Sequence, residues 1–298
     1  MATEAYRAGF IAVVGKPNVG KSTLMNTILQ QKIAAVSPRP QTTRRQQLGI
    51  LTTETAQIIF IDTPGFHRPR HKLGEKMVES ALKSIQDADA VLLLLDVSQP
   101  LTDEDLSLIQ NLQQLPPSKP LVIALNKIDL ATSDLVEQTK AVLVQRLPAA
   151  IVVEISSTRG DNLPTLLQIL GEALPLSEPL YPEEQLTDLY ERDIAADLIR
   201  EAALWILRDE IPHGIAVRID QYQEKEGDIA VIDATIIVER ESHKGIVIGA
   251  AGNMIKQIGI HARKEIEAMS GKKVFLNLKV KVKKNWRKDE NFLKWLGY

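Results

Sequence analysis

Eight residues near the amino terminus have the types and spacing that bind the phosphates of a nucleotide. Residues 15–22 read Gly-Lys-Pro-Asn-Val-Gly-Lys-Ser and lie between an apolar run at 10–14 and a helical pattern at 24–29. A glycine-rich turn between a strand and a helix wraps backbone N–H groups around phosphate oxygens, helped by the positive end of the helix dipole. We expect Lys21 to contact the terminal phosphates and Ser22 to offer a hydroxyl to Mg²⁺. The predicted phosphate-binding residues are Gly15, Lys16, Pro17, Asn18, Val19, Gly20, Lys21, Ser22 and Thr23.

Two further segments carry groups that a Mg²⁺-bound nucleotide needs. The polar loop at 37–45 contains two prolines and two adjacent threonines, and a threonine hydroxyl there could complete the metal's coordination. An apolar run at 57–61 ends in Asp62, Thr63, Pro64 and Gly65. A carboxylate at the carboxyl end of a strand beside the phosphate loop can hold the water shell of Mg²⁺, and Gly65 can turn its N–H toward a γ-phosphate. A plain turn is the alternative for these four residues, and the phosphate loop argues against it.

A third group of residues has the chemistry to select guanine. An apolar run at 121–125 ends in Asn126, Lys127, Ile128 and Asp129. Asp129 can accept hydrogen bonds from both N1–H and the 2-amino group of guanine, whereas adenine offers neither and would leave the carboxylate unpaired. Asn126 can bond the base and tie loops together, and the Lys127 stem can lie along the purine. A run at 150–155 ends at Ser156 and Ser157, where a backbone N–H can meet the guanine oxygen.

The elements that position these loops are buried strands alternating with helices. The runs at 57–61, 90–96 and 121–125 are apolar without alternation, which is typical of strands covered on both faces in a parallel sheet. Helical patterns at 73–86 and 103–114 separate them. We therefore predict an α/β domain over residues 1–173, a mostly parallel sheet with helices on both faces. Three prolines at 174–182 indicate a linker over 174–187.

Residues 188–298 follow a different, α+β pattern that ends in a basic tail. We expect a helix over 188–210, capped by Asp188 with Glu191, and two strands at 215–221 and 229–239. Two short helices then flank a loop at 249–252, an arrangement that can clamp a nucleic-acid backbone, although a plain helical hairpin has the same pattern. A last strand at 274–282 alternates apolar residues with lysines. The predicted RNA-binding residues are Lys244, Gly249, Ala250, Ala251, Gly252, Asn253, Lys256, Lys279, Lys281, Lys283 and Arg287.

Composition narrows the class of protein. The chain has 298 residues, no cysteine and no apolar run of the roughly 20 residues that span a bilayer. The absence of cysteine excludes disulfides and thiolate chemistry and agrees with a reducing cytoplasm. Fifteen Asp and Glu accompany five Lys and Arg over 183–239, whereas fourteen Lys and Arg accompany five Asp and Glu over 240–298. The basic part is expected to bind a polyanion, or the two parts are solvated faces that neutralise each other.

The order phosphate, switch, metal and base loop resembles the Era-like group of translation-factor-class GTPases, over residues 6–173. The resemblance implies GTP hydrolysis, with Thr43 joining Ser22 and Asp62 as the Mg²⁺ residues. It also implies Lys21, Thr43 and Gly65 as the catalytic residues. In that group the asparagine at Asn18 often helps to hold a K⁺ ion in place of an arginine finger, with Thr42 close to it.

The resemblance also has consequences for the rate of hydrolysis. Phe66 follows Gly65, where Ras-like switches carry a glutamine that orients the attacking water. A hydrophobic residue is usual there in the Era-like group, and we expect slow intrinsic turnover. His67 lies in a loop with Arg68, Arg70 and His71, and we expect it to be solvated rather than catalytic. Ser157 and Thr158 depart from the usual alanine and leucine or lysine, at a place where the backbone forms the contact.

Residues 188–284 resemble a type II KH domain. With the basic tail, the chain is similar to bacterial-type GTPases of small ribosomal subunit assembly, which implies the 3′ end of small-subunit ribosomal RNA and the small subunit as partners in the cytoplasm. Ala250 and Ala251 stand where lysine or glycine is usual, so phosphate charge must come from neighbouring lysines. One alternative is an RNA-binding scaffold for which GTP hydrolysis is incidental. Another is peripheral association of residues 283–294, with Trp286, Phe292 and Trp295, with the inner face of the cell membrane.

Overall fold

The computed structural model describes residues 6–37, 39, 42–66, 69, 71–208 and 211–298, which cluster into two compact units. Described residues up to 31, from 43 to 69 and from 74 to 188 form the N-terminal unit. The described residues within 32–42, 71–73 and from 189 onward form the C-terminal unit. The prolines of the polar loop, His67 with Arg68 and Arg70, and the expected helix end at Glu210 lie outside the described residues.

The described strands of the N-terminal unit form one sheet in the order β2-β3-β1-β4-β5-β6. The strands are β1 (Arg7–Val14), β2 (Gln47–Thr52), β3 (Ala56–Asp62), β4 (Ala90–Asp96), β5 (Leu121–Asn126) and β6 (Ile151–Ile155). All pair in parallel except β2, which runs antiparallel to β3 at the edge. Every residue of β3 and β4 is buried, so both faces of the sheet are covered there. The predicted mostly parallel α/β domain is confirmed.

Helices follow the strands and carry the loops between them. They are α1 (Lys21–Leu29), α2 (Lys72–Asp87), α3 (Asp103–Leu112), α4 (Ser133–Arg146) and α5 (Leu163–Glu172). Parallel neighbours place the carboxyl ends of β1, β3, β4 and β5 along one edge of the sheet, which is where ligands bind in open α/β folds. The phosphate, metal and base loops predicted from the sequence all begin at these strand ends.

The proline-rich segment lies along the N-terminal unit. The N–H of Ile50 in β2 donates to the Leu186 carbonyl at 2.8 Å, and the N–H of Leu48 donates to Asp188 Oδ1 at 2.8 Å. The side-chain oxygen of Gln57 accepts from the N–H of Tyr181 at 2.9 Å. Asp188 therefore bonds β2, and the expectation that it caps the following helix is wrong. That helix begins at Glu191 after an extended residue with no side-chain cap, and it ends at Ile206.

The C-terminal unit is an α+β unit with a sheet in the order β7-β8-β9. Its elements are α6 (Glu191–Ile206), β7 (Ala216–Lys225), β8 (Ile229–Val238), α7 (Glu241–Ile248), α8 (Asn253–Ser270), β9 (Lys273–Val282) and α9 (Glu290–Trp295). The pair β7 and β8 is antiparallel, while β8 and β9 are parallel. Apolar residues of α6, α8 and one sheet face share a core. Helix α8, which follows the 249–252 loop, has 18 residues, so the expectation of a short helix there is wrong. Among the described residues, no helix combines the length and apolar character needed to cross a bilayer.

Candidate functional site

The phosphate loop occupies the turn from β1 into α1. Gly20 precedes α1 with φ of 107°, a left-handed backbone conformation. A Cβ at this position would stand 2.3 Å from Nδ2 of Asn126, so only glycine fits between the phosphate loop and the base loop. Val19 is buried, Asn18 is exposed and Pro17 is half-buried. Thr23 follows in the first turn of α1.

Lys21 is a buried cation inside this loop. Its Nζ donates to the carbonyl oxygens of Gly15 and Lys16, both at 3.0 Å. Burial lowers the pKa of Lys21 to about 8, although the charge of Asp62 acts in the opposite direction. The ammonium thus lies among the backbone atoms of the loop. Its positive charge would stabilise bound phosphate oxygens strongly there, because the buried site has a low dielectric constant.

Lys16 is placed differently from the other loop residues. Its Nζ lies 2.7 Å from Asp105 Oδ2 in α3, and both side chains are buried. The side chain of Lys16 therefore fastens the loop to α3, which leaves its backbone N–H as the group available to a phosphate. Asp105 was not singled out from the sequence. The signal was the pattern Thr-x-x-Asp, since Thr102 and Asp105 form a capping box at the start of α3.

Three oxygen-bearing side chains meet beside the loop. Ser22 Oγ lies 2.9 Å from Thr43 Oγ1 and 3.2 Å from Asp62 Oδ2, and Thr43 Oγ1 lies 3.4 Å from the same carboxylate oxygen. The other oxygen, Asp62 Oδ1, is buried and finds no hydrogen-bond partner among the described residues. Burial raises the pKa of Asp62 to about 6, while Lys21, Ser22 and Thr43 act to lower it. Two hydroxyls and an unsatisfied carboxylate oxygen are a donor set that fits a hard divalent cation such as Mg²⁺.

The segment after Asp62 is bonded to the phosphate loop and its strand. Thr63 Oγ1 donates to the Val13 carbonyl at 2.7 Å, and the N–H of Phe66 donates to the Gly15 carbonyl at 3.0 Å. Pro64 is buried. A Cβ on Gly65 would lie 2.8 Å from the backbone nitrogen of Pro17, so a larger residue cannot approach this closely. Phe66 packs against the core, which places no hydrogen-bonding side chain directly after Gly65.

The base loop is held together by the side chain of Asn126. Its Nδ2 donates to the Val19 carbonyl at 2.7 Å. Its Oδ1 accepts from the N–H and the Oγ of Ser157 at 2.9 and 3.0 Å. One buried amide thus joins the phosphate loop, the end of β5 and the loop after β6. This is the tying role expected for Asn126, while its expected contact with the base remains a prediction.

Lys127, Asp129 and Ser156 complete the base loop. Lys127 Nζ donates to the Asn18 carbonyl at 2.9 Å and to Asp96 Oδ2 at 2.6 Å. Burial acts to raise the pKa of Asp96, but hydrogen bonds from Lys127 and Ser98 hold it below its usual value. Asp129 is exposed and accepts no hydrogen bond from the described residues, so its carboxylate is accessible to a ligand. Ser156 is buried, and its Oγ accepts from the N–H of Arg159 at 3.2 Å.

The loop between α7 and α8 has the open backbone expected of a clamp. Gly249, Ala251 and Gly252 have φ of 73°, 50° and 76°. Ala250 and Ala251 are exposed, as are Asn253 and Lys256 at the start of α8, and Lys244 on α7 is half-buried. Alanine rarely adopts a positive φ, so Ala251 holds a conformation that glycine would adopt without strain.

The predicted lysines of β9 are on a different part of the unit. Leu278, Val280 and Val282 pack against the helix-covered core, so the alternating residues Lys279 and Lys281 project from the opposite face of the sheet, and Lys283 follows directly after β9. Lys283 also pairs with Asp289 at 3.1 Å. Arg287 forms an ion pair with Glu239, so its charge is already balanced. The structure therefore brings Lys244 and Lys256 to the loop helices and leaves the β9 lysines as a separate basic row.

Comparison with known protein families shows which class of protein this chain belongs to. Residues 10–127 match the family described as 50S ribosome-binding GTPase, and residues 210–287 match the KH domain family. The nucleotide loops at the strand ends and the α+β unit that follows agree with both matches. The chain is thus a P-loop GTPase joined to a KH domain.

Relatives that cover the whole chain identify the family. GTPase Era of Caldanaerobacter subterraneus subsp. tengcongensis is 44% identical over 99% of this chain and 98% of its own length. GTPase Era of Geobacter metallireducens is 44% identical over 100% of both chains. A crystal structure of Era in complex with MgGDPNP and nucleotides 1506–1542 of 16S ribosomal RNA superimposes with a TM-score of 0.93, at 39% identity over 98% of this chain and 99% of that chain. A crystal structure of an Aquifex aeolicus Era variant bound to GDP·AlF₄⁻ gives 0.92 at 39% identity, over 98% of this chain and 99% of that one. This chain belongs to the Era family of GTPases.

Proposed function

We propose that this GTPase binds GTP with Mg²⁺ and binds the 3′ end of small-subunit ribosomal RNA during assembly of the small ribosomal subunit. The observation that carries the nucleotide part is the convergence of Ser22, Thr43 and Asp62 within 3.4 Å beside the phosphate loop. The RNA part is supported by the exposed Ala250 and Ala251 of the loop between α7 and α8 and by the related Era that was solved with a 16S ribosomal RNA segment.

Different residues of the site bind the phosphates, the Mg²⁺ ion and the γ-phosphate during hydrolysis. Lys21 and the loop N–H groups stabilise charge on the phosphates, and Ser22, Thr43 and Asp62 would hold Mg²⁺. Mg²⁺, when bound, neutralises charge that develops on the phosphate oxygens. Gly65 directs its N–H toward the γ-phosphate. Because Phe66 packs in the core and offers no polar group, no side chain directly after Gly65 orients the water, and intrinsic turnover is slow.

Base selection follows from the base loop. Asp129 accepts from N1–H and the 2-amino group of guanine, and the stem of Lys127 lies along the purine. A backbone N–H at Ser156 or Ser157 donates a hydrogen bond to the guanine oxygen. Asn126 keeps these groups and the phosphate loop in register through its three hydrogen bonds. In addition, Asn18 would hold a K⁺ ion that assists hydrolysis.

The RNA-binding surface is centred on the loop between α7 and α8. The backbone N–H groups of Ala250 and Ala251, with the nearby Lys244 and Lys256, hold a single-stranded backbone, whereas the N–H groups of Gly249 and Gly252 donate within the protein. Lys279, Lys281 and Lys283 add long-range attraction. The protein acts in the cytoplasm. A membrane role is the weaker candidate: Trp295 is exposed, but the guanidinium of Arg218 covers its ring at 4.5 Å from the centroid.

A binding experiment tests this proposal. Fluorescence anisotropy should show that an RNA with the 3′ sequence of small-subunit ribosomal RNA binds more tightly than a scrambled RNA, with an affinity that falls as salt rises. Equal binding of the two RNAs, or a flat salt titration, contradicts the RNA role. Anionic vesicles in a sedimentation assay separate lipid binding from RNA binding.

A second experiment separates a GTP-driven switch from a scaffold. Thr43→Ala should bind GTP but lose Mg²⁺-dependent hydrolysis. If cells carrying only this variant assemble small subunits normally, hydrolysis is incidental and the scaffold alternative holds.

A further inference from the structure

Two adjacent charged residues on α6 are buried outside the nucleotide site and the RNA loop. Arg200 is 1% exposed and Glu201 is 3% exposed. Charged side chains are seldom this deeply buried unless they are paired, because their desolvation is costly. Their partners therefore indicate what these two residues do.

Glu201 uses both of its carboxylate oxygens on residues 32–36. Its Oε1 accepts from Lys32 Nζ at 2.8 Å, and its Oε2 accepts from the backbone N–H of Val36 at 3.1 Å. Glu265 on α8 accepts from the same lysine at 2.6 Å. Burial raises the pKa of Glu201, and the hydrogen bonds from Lys32 and Val36 counteract this effect.

Two further contacts hold the same stretch of chain. A side-chain nitrogen of Arg200 donates to the Thr42 carbonyl. The indole Nε1 of Trp205 donates to the Val36 carbonyl at 3.1 Å. Residues 32–42 accordingly cluster with the C-terminal unit, although they follow α1 in the chain. Within the described part of this stretch, Lys32, Val36 and Thr42 are thus each hydrogen-bonded to α6.

The contact between Arg200 and the Thr42 carbonyl is one peptide bond away from Thr43, the threonine proposed to bind Mg²⁺. Thr42 immediately precedes Thr43, whose Oγ1 is 2.9 Å from Ser22 Oγ. When the Thr42 carbonyl is fixed, the peptide that carries Thr43 is fixed as well. A shift of about 1 Å in a positioning group can cost on the order of a hundredfold in rate.

We propose that Arg200 and Glu201 are positioning residues for GTP hydrolysis, which hold Lys32, Val36 and Thr42 so that Thr43 stays on the Mg²⁺ site. They act through the backbone of this stretch and not on the reacting atoms. The inference rests on the proposed role of Thr43 in binding Mg²⁺.

The test is a Mg²⁺ titration of single-turnover GTP hydrolysis with the full chain. Glu201→Ala should raise the half-saturating Mg²⁺ concentration by roughly tenfold, the middle of the range for coupled sites. Glu201→Gln keeps an acceptor for the Val36 N–H and should shift it less. GDP affinity should be unchanged, because the loops that bind the base and the first two phosphates are untouched. A raised half-saturating Mg²⁺ concentration together with an unchanged GDP affinity distinguishes a positioning role from a general loss of structure.

Two further variants keep the test decisive. Trp205→Phe removes one hydrogen bond to Val36 from a half-exposed ring, so it reports on the same stretch even if Glu201→Ala does not fold; we expect a shift of about threefold. Glu267→Gln, two residues from Glu265 on α8, removes an equal charge from a residue that bonds Val274 instead. It should leave the titration unchanged.

Thr43→Ala serves as the reference. If it abolishes the Mg²⁺ dependence while the Glu201 and Trp205 variants behave like the unsubstituted protein, the positioning inference is overturned and the role of Thr43 stands. If Thr43→Ala has no effect on the titration, the proposed Mg²⁺ role of Thr43 fails and the inference fails with it.

Discussion

Lys16 Nζ lies 2.7 Å from Asp105 Oδ2, and this buried ion pair joins the phosphate loop to the start of α3. The two partners are not equivalent. Asp105 Oδ2 also accepts from the N–H and Oγ1 of Thr102, at 2.9 and 2.7 Å. Lys16 reaches Asp105 and, at 3.5 Å, Thr102. Loss of the carboxylate thus leaves more groups unsatisfied than loss of the ammonium.

Asp105→Ala should therefore destabilise the nucleotide-free protein by about 3–5 kcal/mol, because it leaves a buried ammonium uncompensated and breaks the helix cap. Lys16→Met should cost less, since the carboxylate keeps its bonds to Thr102. Urea unfolding followed by circular dichroism measures both. Equal destabilisation by the two variants would show that the ion pair, and not the cap, accounts for the stability.

Asp129→Asn should move nucleotide preference from GTP toward xanthosine triphosphate. The carboxylate offers two acceptors, whereas the amide offers one acceptor and one donor, and the donor matches the oxygen that xanthine carries at C2. We expect a loss of at least roughly a hundredfold in GTP affinity. Competition against a labelled nucleotide measures the change, with Asp134→Asn, an exposed carboxylate at the start of α4, as the control. Retained GTP preference in the Asp129 variant would refute the base-reading role.

Mg²⁺ affinity should fall as pH decreases through about 6, the pKa to which burial raises Asp62. The raised pKa means that the neutral carboxyl persists to higher pH than in an unfolded chain, and a neutral carboxyl is a poor Mg²⁺ ligand. Titration of Mg²⁺ into the complex with a non-hydrolysable GTP analogue, from about pH 5 to 8, tests this. In Asp62→Asn the step near pH 6 should disappear, and its persistence would assign it to another group.

Hydrolysis should be faster in potassium chloride than in sodium chloride, by at least roughly tenfold, if K⁺ supplies charge in place of an arginine finger. Asn18→Gly is the informative variant. Asn18 has φ of 64°, which glycine adopts freely, so this substitution removes the side chain and keeps the loop backbone. Phosphate release in matched salts should show the potassium effect in the unsubstituted protein alone. Equal rates in the two salts would end the proposal.

Ala250→Lys should tighten RNA binding and make it more salt-dependent. The position is exposed and next to Gly249, so a lysine there can reach a phosphate without disturbing the core. One added phosphate contact changes the slope of log affinity against log salt by about 0.7 for a single strand. Lys284→Ala, an exposed lysine beyond β9, is the charge control. An unchanged slope in Ala250→Lys would mean that the loop does not contact the backbone.

The sequence correctly predicts where the nucleotide loops lie in the fold, because their positions depend on short, local patterns. The phosphate loop and the Asn-Lys-x-Asp loop each place their groups through a strand end and a turn, so spacing alone indicates the chemistry. The structure adds partners that no local pattern encodes. Asp96 with Lys127, Asp105 with Lys16, and Glu201 with Lys32 are pairs brought together by the fold, from positions 31 to 169 residues apart.

The same limit explains the errors. The sequence analysis did not predict strand β2. This strand has six residues at the sheet edge and lacks the long apolar run that marks β4. Alternation correctly divided β9 into apolar and basic faces, but only the tertiary arrangement shows that the basic face is opposite the helices. Asp188 fits a capping pattern, yet the N–H of Leu48 is its partner in the fold.

The proline-rich segment has a consequence for how this chain can be divided. Leu186 and Asp188 supply the acceptors for Ile50 and Leu48, which would otherwise present bare amides along an outer strand. A fragment cut at residue 173 would expose that strand, and exposed strand edges recruit other chains. The segment therefore covers the outer strand, and we expect a fragment that ends at residue 173 to self-associate more readily than one that retains residues 174–188.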